Sequence, residues 1–129
     1  MRILSRRSLI GANILWALVV FTLCAMPGDS VPDTGIRIPH FDKVVHFGMF
    51  FITSLLLALP LHLYARFRRR HILLLAVVFA FLYGGILEIL QSRFFGRSGD
   101  FADLVADLVG AFAGCLCYPW LLRFLASRE

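Results

Sequence analysis

Five carboxylates and a histidine sit at regular spacings in an otherwise apolar sequence. Asp42 and His46 are four residues apart, Glu88 and Gln91 three, Asp103 and Asp107 four. On a helix each pair shares a face. In Asp42-Lys43-Val44-Val45-His46 the carboxylate can accept the imidazole N–H, which fixes the tautomer and raises the basicity of the ring, as in an acid/base pair. The plainer reading of the same residues is an N-cap aspartate followed by an interfacial histidine. Glu88 lies about one turn before the end of an apolar run. A charged side chain at a membrane centre costs roughly 2.5–3.5 kcal/mol on the insertion scale and less near the edge. Glu88 should therefore face protein or a wet cavity, or reach as a helix-end carboxylate for headgroup water. Asp107 falls roughly 10 Å along a helix from Asp100 at about 1.5 Å per residue. The Asp103/Asp107 face continues at Gly110 and Gly114, a small-x-x-x-small step that permits close helix contact. The acidic face is thus also the packing face. Asp100 suits a helix cap.

The elements that carry these residues are membrane spans. Of 129 residues 60% are hydrophobic, with a mean hydropathy of +0.82. A soluble domain is about 45–50% apolar, and a soluble fold of this length could not bury four long apolar runs. A span needs about 20 mostly apolar residues. The runs extend from about Leu9 to Met26, Val44 to Tyr64, His71 to Leu90, and Phe101 to Leu125. The first could be a signal peptide, given Arg6 and Arg7 before it and small residues near Cys24-Ala25-Met26. Its length, and the short loop before the next span, favour an uncleaved helix. The connections are short, so sequential helices are expected as antiparallel neighbours. The expected fold is an all-α membrane protein, one domain over residues 1–129, built as a compact antiparallel bundle of four transmembrane helices.

Arginine and lysine orient the bundle. The N-terminus, the loop after span two and the C-terminus hold nine: Arg2, Arg6, Arg7, Arg66, Arg68, Arg69, Arg70, Arg123 and Arg128. The other side holds four, Arg37, Lys43, Arg93 and Arg97. The positive-inside rule then puts both termini in the cytoplasm. All acids except Glu129 fall on the outer side. There the start of span two, the end of span three and the start of span four can bring together Asp42, His46, Glu88, Gln91, Arg97, Asp103 and Asp107. The net charge of +5 does not indicate nucleic acid, because the basic residues form short clusters beside apolar runs. Cys24, Cys115 and Cys117 read as membrane-core residues. Cys115 and Cys117, two apart, point to different faces and are poorly placed to share a metal. Pro60 and Pro119 are expected to kink or end their helices, Gly84 and Gly85 to allow close packing, and Tyr64, Tyr118 and Trp120 to sit at the inner interface.

At these residues the chain resembles the VanZ-like family. The resemblance runs through the Pro-containing loop after span one, Asp42-Lys43-Val44-Val45-His46-Phe47, Glu88-Ile89-Leu90-Gln91, and Arg97 through Asp103 to Gly110 and Gly114. It covers nearly the whole chain. The family consists of small membrane proteins whose founding member is associated with low-level teicoplanin resistance. The resemblance implies a cell-envelope role without a defined reaction, and a bacterial plasma-membrane location. Two positions depart from the family pattern. Asp107 stands where the family usually has Asn, and Phe50 where many members have Tyr.

Three functions compete. The first is non-catalytic binding of a lipid headgroup or cell-wall precursor, with carboxylates and amides meeting a sugar or amine and Arg97 a phosphate. The second is an enzyme on a lipid-linked or envelope substrate, with catalytic candidates Asp42, His46, Glu88 and Asp103. Glu88, Asp103 and Asp107 would then be cation ligands or a second acid/base group, and oxygen ligands would favour Mg²⁺, Mn²⁺ or Ca²⁺. The absence of a convincing serine or cysteine nucleophile favours binding. The third, a transport or proton-relay subunit, ranks lowest, because the inner halves of the spans hold almost no polar residues.

Overall fold

The computed structural model describes residues 4–26, 39–96 and 99–128. Four helices, α1 (Arg6–Ala25), α2 (Phe41–Leu63), α3 (Arg69–Phe94) and α4 (Phe101–Ala126), account for most of them, and there is no strand among the described residues. All four are long and apolar enough to cross a membrane. Their outward faces carry large apolar side chains such as Leu15, Val44, Leu74 and Phe112. In a bilayer these face lipid without cost, so the outside of the bundle is as apolar as its core.

Local chemistry sets the helix ends. Ser5 caps α1 by accepting the Ser8 amide at 3.1 Å. Asp100 caps α4 by accepting the Ala102 amide at 2.8 Å, so two orphan amide donors are met by side chains. The chain enters α2 through His40, whose backbone is left-handed (φ 61). Asp42 is therefore a first-turn residue and not the cap. α2 starts before the apolar run does, and α3 continues beyond it to Phe94. Apolarity marks the lipid crossing, whereas backbone hydrogen bonding carries the helix into the polar layer. That extension keeps Lys43 and Gln91 on helices.

Neither proline ends its helix; Pro60 lies in the last turn of α2, and α4 runs through Pro119 to Ala126. Proline lacks the N–H that would bond the carbonyl four residues back. For Pro60 that carbonyl belongs to Leu56, and the Asn13 side chain of α1 donates to it at 2.8 Å. The defect in α2 is thus repaired by α1. Trp16 adds a second tie, donating from Nε1 to the Met49 carbonyl at 3.2 Å and to Thr53 Oγ1 at 3.1 Å.

The packing that positions the acids lies between α2 and α4. A Cβ on Gly110 would overlap the Phe47 carbonyl, and one on Gly114 would overlap the Phe51 carbonyl and Ser54 Oγ. The two backbones approach so closely that only glycine fits. Contacts then run in step along the helices: Lys43 with Asp103, His46 with Asp107, Phe47 with Gly110, Phe51 with Gly114. Val20, Phe50, Ala80, Leu87 and Ala111 form one apolar cluster from all four helices. Phe50 is fully buried there, near the Tyr83 ring. Cys115 is buried and Cys117 exposed, on different faces.

Glycine positions give a test. Gly110→Ala should lower unfolding stability in detergent by about 1–3 kcal/mol, the usual cost of overpacking. Gly85→Ala, with nothing within 4 Å of its Cβ, should leave stability unchanged or raise it by up to about 1 kcal/mol through helix propensity. Equal responses in a denaturant titration would remove the close contact.

Candidate functional site

The start of α2, the end of α3 and the start of α4 meet at one end of the bundle. Lys43 is at the centre of the outer layer. Its ammonium lies 2.5 Å from Asp42, 2.5 Å from Asp100 Oδ2 and 2.8 Å from Asp103 Oδ1. Three carboxylates from two helices thus share one cation. Asp100, at the mouth, is held below the usual aspartate range, first by the hydrogen bond from Lys43 and then by the Ala102 amide.

Beneath this layer lies a second. His46 is 5% exposed and Asp107 1%. His46 Nδ1 lies 2.8 Å from Asp107 Oδ1, and His46 Nε2 lies 3.6 Å from Asp103 Oδ2. The first distance is a hydrogen bond and the second is beyond one. With Nδ1 donating to Asp107, a neutral ring presents the Nε2 lone pair toward Asp103. Gly84 of α3 makes room for this pair, since a Cβ there would come within 2.6 Å of Asp107 Oδ2. Glu88 closes the layer from α3. Its Oε2 accepts the Asp100 amide at 2.9 Å, while Oε1 is buried with no hydrogen-bond partner among the described residues.

The structure brings Asp42, His46, Glu88, Asp103 and Asp107 to this end, but not in the expected pairing. His46 does not bond Asp42. Although the two share a face of α2, Asp42 is half exposed and turns to Lys43 in the outer layer, while His46, one turn deeper, meets Asp107 of α4. Asp107 takes the role expected of Asp42. Gln91 also departs from expectation. It is buried, and its amide donates to the Cys24 carbonyl of α1 at 3.0 Å. Three residues advance a helix by about 300°, a net offset of about 60° at 3.6 residues per turn, and at the edge of that shared face Gln91 meets α1 while Glu88 meets the Asp100 amide. Arg97 lies outside the described residues. Lys43 is expected from sequence as a topology charge and a member of the Asp42–Phe47 motif, with no partner assigned; the signal for its pairing is its position beside an aspartate, at the end where all but one of the acids gather.

Chemically, the arrangement offers acceptors in excess. Asp42, Glu88, Asp100, Asp103 and Asp107 face one lysine and one histidine among the described residues. One ligand-capable atom from each of His46, Glu88 and Asp103 lies within 4.8 Å of the other two, and the same holds for Asp42, Asp100 and Asp103. The second trio is already bridged by Lys43. Beside the cluster, between α2 and α4, runs a groove of about 400 Å³ with apolar walls from Val44, Phe47, Val105, Ala106 and Val109, and with Lys43 at its head.

Two outcomes are expected. Asp107→Asn keeps an oxygen acceptor for His46 Nδ1 and should change stability little, whereas Asp107→Leu leaves a buried donor unmet and should cost about 1–3 kcal/mol in denaturant unfolding. Asp100 sets a pH dependence. Because its folded-state affinity for a proton is depressed, its contribution is present above the ordinary aspartate range and lost as pH falls through its lowered folded value. Melting temperatures of wild type and Asp100→Asn should differ at pH 7 and converge under strongly acid conditions; a constant difference would show that the carboxylate charge contributes nothing.

Neither a curated protein nor a solved structure matches the chain. A family model does, described as VanZ/LLP1, over residues 7–123. That match takes in all the described carboxylates, His46, Lys43 and the Gly110/Gly114 contact, and with four helices able to cross a membrane it means that this membrane protein belongs to the VanZ/LLP1 family.

Proposed function

We propose that the protein binds an amine- and hydroxyl-bearing lipid headgroup, or a lipid-linked cell-wall precursor of the same chemistry, at the extracytoplasmic end of the bundle. In this reading the helices alternate in direction across the bacterial plasma membrane with both termini cytoplasmic, following the nine-to-four arginine and lysine bias. The observation that carries the proposal is an open apolar groove lined also by Lys43, whose ammonium is bonded to Asp42, Asp100 and Asp103. An acyl or prenyl chain would lie along Val44, Phe47, Val105 and Val109, and its polar end would reach Lys43 and the acids beside it. Excess carboxylates select against an anionic group and for an ammonium or a hydroxyl donor. The expectation that Arg97 meets a phosphate stays with the sequence, since that residue is outside the described set.

A catalytic reading has one observation in its favour, the buried His46–Asp107 pair, which has the form of a base held by an orienting carboxylate. Among the described residues, the hydroxyls of Thr53, Ser54 and Ser92 each donate to a carbonyl of their own helix, and none is bonded to His46. Binding is therefore the better-supported function.

Native mass spectrometry of the detergent-purified chain, offered phosphatidylethanolamine or phosphatidylglycerol, tests it. Wild type should retain the ethanolamine lipid at activation energies that strip the glycerol lipid. Retention should fall in Glu88→Gln/Asp103→Asn and in Val105→Trp, which fills the groove. A lipid-linked precursor retained in place of phosphatidylethanolamine would identify the other source of the same chemistry. Equal retention by wild type and both variants would end the binding proposal.

A further inference from the structure

The deeper layer has a property that amine binding does not require. Three residues each commit one polar atom to the scaffold and leave another turned to the cluster. His46 commits Nδ1 to Asp107 and leaves Nε2. Asp103 commits Oδ1 to Lys43 and leaves Oδ2. Glu88 commits Oε2 to the Asp100 amide and leaves Oε1, which is buried and has no hydrogen-bond partner among the described residues. The atoms left over are all acceptors when the ring is neutral. Acceptors crowded together in a low-dielectric interior repel one another unless a cation lies between them.

We propose that His46, Glu88 and Asp103 bind one divalent first-row metal ion, with Asp107 as the residue that positions the histidine. The buried His46 ring presents Nε2 to the cluster, with the Asp103 carboxylate 3.6 Å away. That is too long for a hydrogen bond but suits two ligands of one ion, each about 2.0–2.2 Å from it. Asp107 on Nδ1 completes the carboxylate–histidine–metal relay typical of metal sites, which fixes the tautomer that ligates. Lys43 on Oδ1 of Asp103 leaves Oδ2 free and neutralises part of the acidic charge. One nitrogen and two carboxylate oxygens from three helices suit Mn²⁺ or Zn²⁺ better than Mg²⁺ or Ca²⁺, which take oxygen ligands alone. This narrows the sequence expectation of a purely oxygen site, because His46 is freed as a ligand by bonding Asp107. With only three protein ligands, the ion keeps open positions for water or a ligand oxygen. The assignment stands apart from headgroup binding and needs no lipid.

The full chain in detergent, washed with chelator, is titrated with MnCl₂ and followed by the loss of the free-Mn²⁺ electron paramagnetic resonance signal. ZnCl₂ is titrated in parallel by calorimetry. One ion per chain is expected, with MgCl₂ failing to compete at equal concentration. Glu88→Gln keeps an oxygen for the Asp100 amide and so preserves the fold while removing a ligand charge. His46→Ala removes the nitrogen ligand. Both should weaken binding by more than the about 10–100-fold expected for Asp107→Leu, which removes only the orienting partner. Circular dichroism and gel filtration confirm that each variant is folded. Failure of wild type to bind either ion, or binding equal to that of folded Glu88→Gln and His46→Ala, overturns the site and leaves His46 as an imidazolium paired with Asp103 and Asp107. Lipid retention measured on the same chelated protein separates the two proposals. Retention without ion binding sinks the metal site alone, and ion binding without retention sinks the headgroup reading alone.

Discussion

Two glycines on one face of α4 set the distance between α4 and α2, and the acidic end depends on that distance. Gly110 and Gly114 let the α4 backbone rest against the carbonyls of Phe47 and Phe51. In lipid there is no hydrophobic force to pull helices together, so close van der Waals contact has to do it. Once the backbones touch, the residues one and two turns up each helix must face one another. Lys43 meets Asp103 and His46 meets Asp107 as a consequence. A larger residue at either glycine would push α4 outward and separate every pair above it.

Close approach also makes the charges tolerable. Carboxylates near a membrane edge are costly when alone, and here each has an assigned partner for at least one oxygen. Lys43 serves three of them, His46 serves Asp107, and the Asp100 amide serves Glu88. The Asp100 amide just before α4 thus ties that helix's start to Glu88 of α3. After these bonds one buried oxygen, Glu88 Oε1, has no hydrogen-bond partner among the described residues. A structural fastener would be expected to end with its acceptors satisfied. This end of the bundle departs from that at Glu88.

The rest of the bundle shows what fastening looks like in this protein. Asn13, Trp16, Tyr64, Tyr83 and Gln91 each donate to a backbone carbonyl on another element. Four of these bonds hold α1 to α2 or α3, and the fifth holds Tyr64 to the chain just before α1. All use neutral donors. Neutral side-chain bonds within membranes average only about 0.6 kcal/mol, yet they cost little desolvation and need no counter-charge. The chain uses neutral donors where it needs rigidity, and its described carboxylates gather at one end, where the groove opens beside Lys43.

Much of this was readable before any coordinates. Apolar runs and base placement determined four helices and the end that holds the acids. The 103–107–110–114 spacing determined that the acidic face of α4 also packs. Helical periodicity carries such information because it fixes which side chains share a face of their own helix. It says nothing of the rotation or axial offset of the neighbour. For that reason the partner of His46 was decided only in the tertiary structure, where Asp107 and not Asp42 reached the ring. The turn of Gln91 to Cys24, the three-way pairing of Lys43 and the repair of the Pro60 defect by Asn13 were decided there too. Each joins residues on different elements, and their meeting depends on how closely two glycines allow α4 to approach α2.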